Sequence, residues 1–485
     1  MVNATHASQC MGATLADLPT ELKALVVKFR RDQAEHEDRS PNGWKQSLCD
    51  LSLVSKDFVP LCQEELFEDV EMEAAGCKYG EDVPGAPNTL ALFPRVVKSS
   101  PHLGRLVKDL FISLPRDFDT VISPELAGDI SNTLKLLTNV EHLYLNRGPP
   151  KDGDTFPHTI KLRDLRKRPH LCAIADGLRE IMNSKKLRMI ELRWVNVSPQ
   201  DMMECKGLEI VRLLPSDCFD ASPLDTKTNE GKGPICPNLI EIAGHRDCQS
   251  YAAVKAIERH PRLNLSKLKT VIAPFQKRIL EDLLKGAEQL EVVVIKRSRR
   301  DPEVVDGKSF IQWLNPKSFN TLRILKLSIK LKANRNWIRD PYLSITSDDL
   351  LLQLTALVKL EIRVGIEGNA NLAFPWISSF GSQWTALDRA LVPSDREIAL
   401  KSLEEVSIAV VIEGGHYDVA IAKKLLVYCR KQMLIHNFPR LKERDAKHEI
   451  KFRFRGRCSD RLLAQAIALL AAEERRLRTK ALEST

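Results

Sequence analysis

The sequence contains 11 cysteines but no C-x-x-C pair, and it has no long apolar run. Among the closest neighbours are Cys236 and Cys248, about a dozen positions apart. Disulfide scaffolds need paired cysteines and zinc sites need clustered ligands, so this scatter predicts reduced thiols and no metal site. No stretch approaches the roughly 20 apolar residues of a membrane span. The first residues also lack the basic region and apolar core of a secretory signal. We therefore expect a soluble cytoplasmic or nuclear protein without a cofactor or membrane contact.

Motifs that carry catalysis are also missing. The sequence has no H-E-x-x-H, P-loop, G-x-G-x-x-G or G-x-S-x-G, and "EGKGP" (230–234) lacks the length and closing hydroxyl residue of a P-loop. The nearest polar constellation is His245, Asp247 and Cys248, but no second cluster stands out to complete a site. A loop at the end of a strand is the simpler interpretation of these three residues. The sequence thus predicts a protein that is not an enzyme.

The charge is distributed unevenly along the chain. Residues 1–80 carry 8 lysines and arginines against 14 acidic residues, and residues 440–485 carry 13 against 7. The basic stretches "KRSRR" (296–300) and "RFRGR" (453–457) could contact phosphates. Aromatic residues are only 6% of the chain, and neither stretch has the interleaved aromatics of a single-strand binder beyond Phe452 and Phe454. Solvated charge is the favoured interpretation, and nucleic-acid binding is not expected.

A short phrase of the form apolar-x-x-apolar-x-apolar recurs nine times after residue 100. Each copy has the period-2 alternation of a strand just after its first apolar residue. Between several copies the apolar residues have the spacing of an amphipathic helix. Examples are "FQKRILEDLLKGAEQ" from Phe275, "SDDLLLQLTAL" from Ser347 and "IADGLREIMNS" from Ile174. The nine phrases are "VKDLFI" from Val107, "VEHLYL" from Val140, "LRMIEL" from Leu187, "LEIVRL" from Leu208, "LKTVIA" from Leu268, "LEVVVI" from Leu290, "LRILKL" from Leu322, "LVKLEI" from Leu357 and "LEEVSI" from Leu403.

This alternation resembles the leucine-rich repeat, which implies an α/β solenoid. The Asn or Cys that the family places after the third apolar position is missing, because the Leu187 copy has Val195 there. We expect an irregular leucine-rich-repeat array with long loops over residues 101–415. Residues 416–485 should form a C-terminal cap with a basic helical tail. A partner-binding coiled coil is an alternative for that tail.

Three short amphipathic helices are predicted near the N-terminus, after a disordered segment at 1–14. "LADLPTELKALVVKF" (15–29) starts the first helix, and Pro19 suits its first turn. A polar insertion at 30–43 separates it from "WKQSLCDLSLVSKDFVPLCQEELFEDV", where Pro60 should break the helical run. Helices so short form a poor core alone, so the unit at 15–70 should be completed by another surface. Residues 71–100 should form a linker.

Residues 15–70 resemble the F-box, particularly that of fungal F-box proteins with leucine-rich repeats. The matching features are Leu18-Pro19, Glu21-Leu22, Val26 and "LSLVSKDF" (51–58), followed by Pro60-Leu61. The resemblance implies binding of a Skp-family adaptor, and through it a cullin-RING ligase. The chain would then be the substrate receptor of a Skp-cullin-F-box ubiquitin ligase, with an unknown protein substrate. The adaptor-binding residues expected from this are Leu18, Pro19, Leu22, Val26, Leu53, Val54 and Phe58.

The alternative is a leucine-rich-repeat scaffold without a ubiquitin role, in which the same helices serve only as a cap. Under that interpretation the seven residues belong to the internal core of the cap. The two interpretations differ in structure: a detached three-helix unit with exposed Val26 and Phe58 would favour adaptor binding, and a core that continues into the first repeat would favour the cap.

Overall fold

A computed structural model describes part of the chain. The chain divides into two compact units, Met1–Ile190 and Glu191–Thr485. The described residues are 18–37, 43–74, 88–115, 121–147, 160–193, 195–197, 207–214, 239–242, 264–274, 277–296, 310–332, 349–367, 381–392, 400–413 and 434–458.

The first unit begins with helices and continues with alternating strands and helices. Its helices are α1 (Thr20–Glu37), α2 (Gly43–Ser52), α3 (Phe58–Glu68), α4 (Thr89–Ser99), α5 (Pro124–Leu136), α6 (Leu162–Arg166) and α7 (Pro169–Met182). Its strands are β1 (Asp69–Glu73), β2 (Asp109–Leu114), β3 (His142–Arg147) and β4 (Ile160–Lys161). Strand β5 (Met189–Arg193) contains the boundary between the units.

The described residues of the second unit also form strands and helices. Its strands are β6 (Val195–Asn196), β7 (Ile210–Leu214), β8 (Leu239–Ile242), β9 (Thr270–Pro274), β10 (Val292–Lys296), β11 (Ile324–Lys332), β12 (Lys359–Glu367), β13 (Glu405–Glu413) and β14 (Lys451–Cys458). Its helices are α8 (Lys277–Gly286), α9 (Gly381–Leu391), α10 (Leu434–Asn437) and α11 (Pro439–Ala446).

Parallel strands follow one another in chain order within each unit. In the first unit β1, β2 and β3 are neighbours, and in the second each strand from β7 to β14 pairs with the next one along the chain. Parallel neighbours need a crossover connection, and helices provide it at several steps. The expected α/β architecture of repeated strands and helices is confirmed in this solenoid-like form.

All nine recurring phrases become strands, each starting two residues after its first apolar residue. The reason is visible at the β10 copy, where Leu290 is buried and the next two backbone N–H groups donate to one carbonyl of the preceding copy. Glu291 N and Val292 N lie 2.8 and 2.9 Å from the Lys269 oxygen. The same pattern recurs at β3, β11, β12 and β13. A shared carbonyl therefore accepts hydrogen bonds from two backbone N–H groups where these strands begin.

Several expectations are corrected by the structure. The expected linker at 71–100 contains the end of β1 and all of α4, so the repeats begin with β1, which pairs in parallel with β2. Strand β8 was not predicted, because its phrase "LIEI" is too short to show the recurring pattern. The segment at Asp349–Gln353 is a 3-10 helix where an α-helix was expected.

An aromatic cluster closes the described C-terminal part of the second unit. The Phe438 ring is fully buried, and its centroid lies 5.7 Å from Trp384, 5.4 Å from Phe452 and 5.6 Å from Phe454. "KFRFRGR" (451–457) lies in β14, and both of its phenylalanines contact Phe438 of this cluster. The helical tail predicted beyond β14 lies outside the described residues.

A buried carboxylate fixes α11 beside this cluster. Both oxygens of Asp388 accept backbone N–H groups, from Arg440 at 3.1 Å and Leu441 at 2.9 Å. Burial raises the pKa of Asp388 above its ordinary value, although these hydrogen bonds act in the opposite direction. The carboxylate thus satisfies N–H groups that the first turn of a helix leaves without a partner.

Candidate docking surface on the N-terminal helices

The three N-terminal helices pack around a small core of their own. Phe58 and Leu48 are fully buried at its centre. The other buried members are Val27, Leu51 and Cys62, and the half-buried side chains around them are Val26, Trp44, Leu61 and Leu66. The unit therefore has an internal cluster made only of residues between 26 and 66.

The helix boundaries differ from those predicted. Helix α1 continues to Glu37, so most of the expected polar insertion at 30–43 extends the helix. Helix α2 ends at Ser52, and a turn at residues 53–57 precedes α3. Pro60 is the third residue of α3, where its missing N–H removes no hydrogen bond. The break in the helical run therefore comes before Pro60.

Helix α1 turns its apolar stripe away from this core. Lys23, Val27 and Arg31, each four residues apart, face inward, and Val27 is only 1% exposed. The outer stripe is Leu22, Leu25 and Phe29, which are 46%, 61% and 65% exposed. A surface helix normally faces its apolar stripe to the core. The orientation of α1 is reversed, and it leaves an exposed apolar stripe, a feature typical of interaction sites.

The turn before α3 adds two further exposed apolar residues. Leu53 is 85% exposed and Val54 is 58% exposed. The Lys23 amine, itself nearly buried, forms an ion pair with Asp57 at 2.6 Å and fixes this turn beside the start of α1. We define the outer stripe of α1 together with Leu53 and Val54 as the docking surface.

Four of the seven predicted adaptor-binding residues are exposed: Pro19, Leu22, Leu53 and Val54. Leu18 and Val26 are half-buried. Phe58 is corrected, because its ring is the centre of the internal core and has no exposed area.

The sequence-based selection omitted Leu25 and Phe29. Both belong to the outer stripe and share the helical spacing of Leu22, which was the available signal. Only the packing shows that Val27 points inward and Leu25 outward.

Arg31 joins the helical unit to the first strand. Its guanidinium lies 2.6 Å from Glu65, 3.0 Å from Glu68 and 3.0 Å from Asp69. It also lies 5.1 Å from the centroid of the Trp44 ring. The group therefore connects α1, α2, α3 and β1 at one point.

The ionisation of this cluster depends on the balance between burial and pairing. Burial opposes the charge of Glu68, but hydrogen bonds from Lys108 and Arg31 outweigh it and lower its pKa below the ordinary value. The pKa of Asp69 is shifted in the opposite direction. Burial and a hydrogen bond with Asp109 raise its pKa, and Asp109 also contacts His142.

Replacing Arg31 with glutamine is expected to lower the free energy of unfolding by about 1 to 2 kcal/mol at pH 7, because it removes charged hydrogen bonds that water screens only in part. Glu68 has a lowered pKa in the folded state, so its contribution is lost as the pH falls through that value. The difference between variant and wild type should therefore shrink below about pH 4.5. Urea denaturation at several pH values measures this. Exposed Arg30 provides the matched control, and an equal effect of Arg30→Gln would contradict the assignment.

The described residues contain no group of three or more His, Cys, Asp or Glu that could hold a metal ion. Burial raises the pKa of the Cys62 thiol to about 11, which disfavours the reactive thiolate. His245, Asp247 and Cys248 lie outside the described residues. Among the helices that the structure describes, none is both long and apolar enough to cross a membrane.

Comparisons with known proteins do not assign this chain to a family. No family model matches the chain, and no curated protein matches it. Among solved structures, the chain is similar to "Plant peptide hormone receptor RGFR1 in complex with RGF2", with 12% sequence identity and a TM-score of 0.20. The match covers 64% of this chain and only 42% of that chain. Similarity at this level carries no argument, so the architecture is inferred from the strand pairing described above.

Proposed function

We propose that this chain is a substrate receptor of a Skp-cullin-F-box ubiquitin ligase, working in the cytoplasm or nucleus. The N-terminal helices dock on a Skp-family adaptor, and the strand-and-helix repeats recruit a protein substrate. The receptor itself performs no chemistry. It positions a substrate lysine near the loaded conjugating enzyme and thereby raises the effective concentration of the reacting groups.

The observation that carries this proposal is the outward apolar stripe of α1. Side chains as large as Leu25 and Phe29 lose hydrophobic stabilisation while they stay in water, about 1.5 to 3 kcal/mol for each. An apolar helix face that inserts into a hydrophobic groove recovers this free energy. The internal core keeps the three helices folded, so the stripe is available to a partner.

The test is co-purification of the full chain with a Skp-family adaptor. The double variant Leu25→Ala, Phe29→Ala should weaken adaptor binding at least 100-fold, because central apolar anchors contribute about 2 kcal/mol or more each. The variant should keep the thermal transition of the wild type, since both residues are exposed.

A matched control lies on α4 of the same unit. Leu92 and Val96 are also exposed apolar residues on a helix, 48% and 41%, outside the docking surface. Their double alanine variant should bind the adaptor as the wild type does. The proposal fails if the wild-type chain does not bind the adaptor, or if both double variants lose binding equally.

The competing function is a binding scaffold without a ubiquitin role. The Arg31 cluster favours it, because it fastens the helices to β1 as a cap would be fastened. Under this function the docking surface binds a different protein. Wild-type chain that shows no adaptor binding but retains its fold would support the scaffold.

A further inference from the structure

Strands β9, β10 and β11 of the second unit share an outward face with a small cluster of β-branched side chains. Every second residue of these strands is buried, for example Val271, Val293 and Leu325. The residues between them are partly exposed and lie in register across the three strands. We define as the β-branched patch the five partly exposed residues Thr270, Ile272, Val292, Val294 and Ile324.

The β-branched patch consists of two short rows. Thr270, Val292 and Ile324 pair in register in the first row, and Ile272 and Val294 pair in the second. Neighbouring strands lie about 4.8 Å apart and successive outward residues of a strand about 6.6 Å apart, so the patch is about 10 Å wide and two rows deep. Branching at Cβ restricts these side chains to few rotamers. They therefore lose little conformational entropy when a partner covers them.

Paired charges border the patch on both sides. Lys296 of β10 forms an ion pair with Glu241 of β8, and Arg212 of β7 lies 3.2 Å from the same carboxylate. On the other side Lys326 of β11 lies 3.5 Å from Glu361 of β12. An apolar centre inside a charged and polar rim is the usual anatomy of a protein interface.

The same face becomes cationic from β11 to β14. Lys359 lies 3.1 Å from Glu405, and Arg453 lies 3.8 Å from the same carboxylate. Arg363 has contacts of its own. At the first three outward positions of these strands the other cations are Lys326, Lys359, Lys451, Arg453 and Arg455, and the carboxylates are Glu361 and Glu405. This part of the face therefore complements an acidic partner.

We propose that this face binds an amphipathic helix of a protein partner, which lies across the strands with apolar side chains on the β-branched patch and acidic side chains above β12 to β14. A helix is about 10 Å across, so its apolar stripe covers both rows of the patch at once. An extended peptide that crossed the strands would cover one row only. The proposal rests on the proposed function only in naming this helix as part of a recruited substrate.

The composition of the face favours such a helix over nucleic acid or a second copy of the chain. A phosphate backbone would gain nothing from Ile272 and Val294, and it would pass the carboxylates of Glu361 and Glu405. A second copy would bring the same excess of cations to the contact, and like charges that face each other oppose association. An acidic helix with an apolar stripe meets neither obstacle.

The width of the sheet sets the length of the helix. From β10 to β14 there are four strand spacings, about 19 Å, which a helix spans with about 13 residues at its rise of 1.5 Å per residue. With the turns that cover the patch itself, the partner helix needs about 20 residues. Acidic residues in its first turns would also stabilise the helix through its dipole.

The experiment measures binding of a fluorescent helical peptide to the full chain at low ionic strength, without any adaptor. The probe has about 20 residues, with glutamates on one face of its first half and leucines at i, i+3, i+4 and i+7 of its second half. The double variant Ile272→Thr, Val294→Thr should weaken binding about tenfold, because the leucines would bury hydroxyl groups that have no partner. Threonine keeps the β-branched shape, so the thermal transition should stay near that of the wild type.

A matched control lies on the same face. Ile210 of β7 is also partly exposed and lies in the first row, two strands away from β9 on the side opposite β14. Ile210→Thr should bind the probe within twofold of the wild type. If the double variant is unstable, the single variant Val294→Thr should still weaken binding about threefold.

The charged part of the face has its own pair of variants. Lys451→Gln, Arg455→Gln removes two exposed cations of β14 and should weaken binding about fivefold at low ionic strength and less at high ionic strength. Arg389→Gln, Lys442→Gln removes two exposed cations from helices of the same unit and should stay within twofold of the wild type. An equal loss in both pairs would overturn the assignment of the acidic half.

Two further measurements test the occupant itself. A peptide of the same composition with its leucines spread around the helix should bind at least tenfold more weakly, and equal binding of the two peptides would overturn the proposal. Self-association of the full chain that the two threonine substitutions abolish would overturn it in favour of a second copy. Tighter binding of a single-stranded oligonucleotide that the Lys451 and Arg455 substitutions abolish would overturn it in favour of nucleic acid. Because no adaptor is present, these outcomes are independent of the adaptor test.

Discussion

Replacing Phe58 with alanine is expected to lower the free energy of unfolding of the N-terminal helices by about 3 to 5 kcal/mol. The ring is fully buried and is packed between α1, α2 and α3, so its removal leaves a cavity at the centre of a small core. A unit of about 50 residues is only marginally stable, so this loss should unfold it. Hydrogen exchange of residues 20–68 in the full chain measures the effect, because it reports local opening of these helices.

The matched control for Phe58 is Leu53, which lies five residues earlier and is 85% exposed. Leu53→Ala should change the unfolding free energy by less than about 0.5 kcal/mol. The pair also separates folding from docking. Both variants should lose adaptor binding, but only Phe58→Ala should lose protection from exchange. Normal protection in Phe58→Ala would show that the described core is incorrect.

Replacing Phe438 with alanine should destabilise the described C-terminal part of the second unit by about 3 to 5 kcal/mol. Its ring contacts Trp384 of α9 and both phenylalanines of β14, so one residue connects helix and strand. Aromatic pairs contribute about 0.5 to 1.5 kcal/mol beyond their buried area. Hydrogen exchange of β13 and β14 should rise together, because the strands pair directly.

Ile435 provides the control for Phe438, because it lies on the neighbouring helix α10 and is 49% exposed. Ile435→Ala should leave exchange in β13 and β14 unchanged. Phe438→Leu should destabilise the strands less than Phe438→Ala does, since leucine leaves a smaller cavity. If leucine and alanine destabilise the strands equally, the loss does not come from the cavity.

The repeated strands were predictable because their pattern is local. In each copy the first apolar residue and the alternation that follows are enough to place a parallel strand, as Leu290 and Leu322 show for β10 and β11. Strand β1 was not predicted, because "DVEME" has few apolar residues. Its pairing with β2 stabilises it, and this tertiary contact overrides the weak local preference.

The docking surface was predictable only in part. Leu22, Leu53 and Val54 were selected and are exposed, whereas Phe58 was selected and is buried. Apolar spacing on α1 allows either Leu25 or Val27 to face the core. The packing of α2 and α3 and the ion pairs of Lys23 and Arg31 decide between them.

The sequence by itself determined the kind of architecture, since period-2 alternation and helical spacing are properties of neighbouring residues. Which apolar residues remain exposed was decided only by the tertiary structure, because exposure depends on what packs against each helix face.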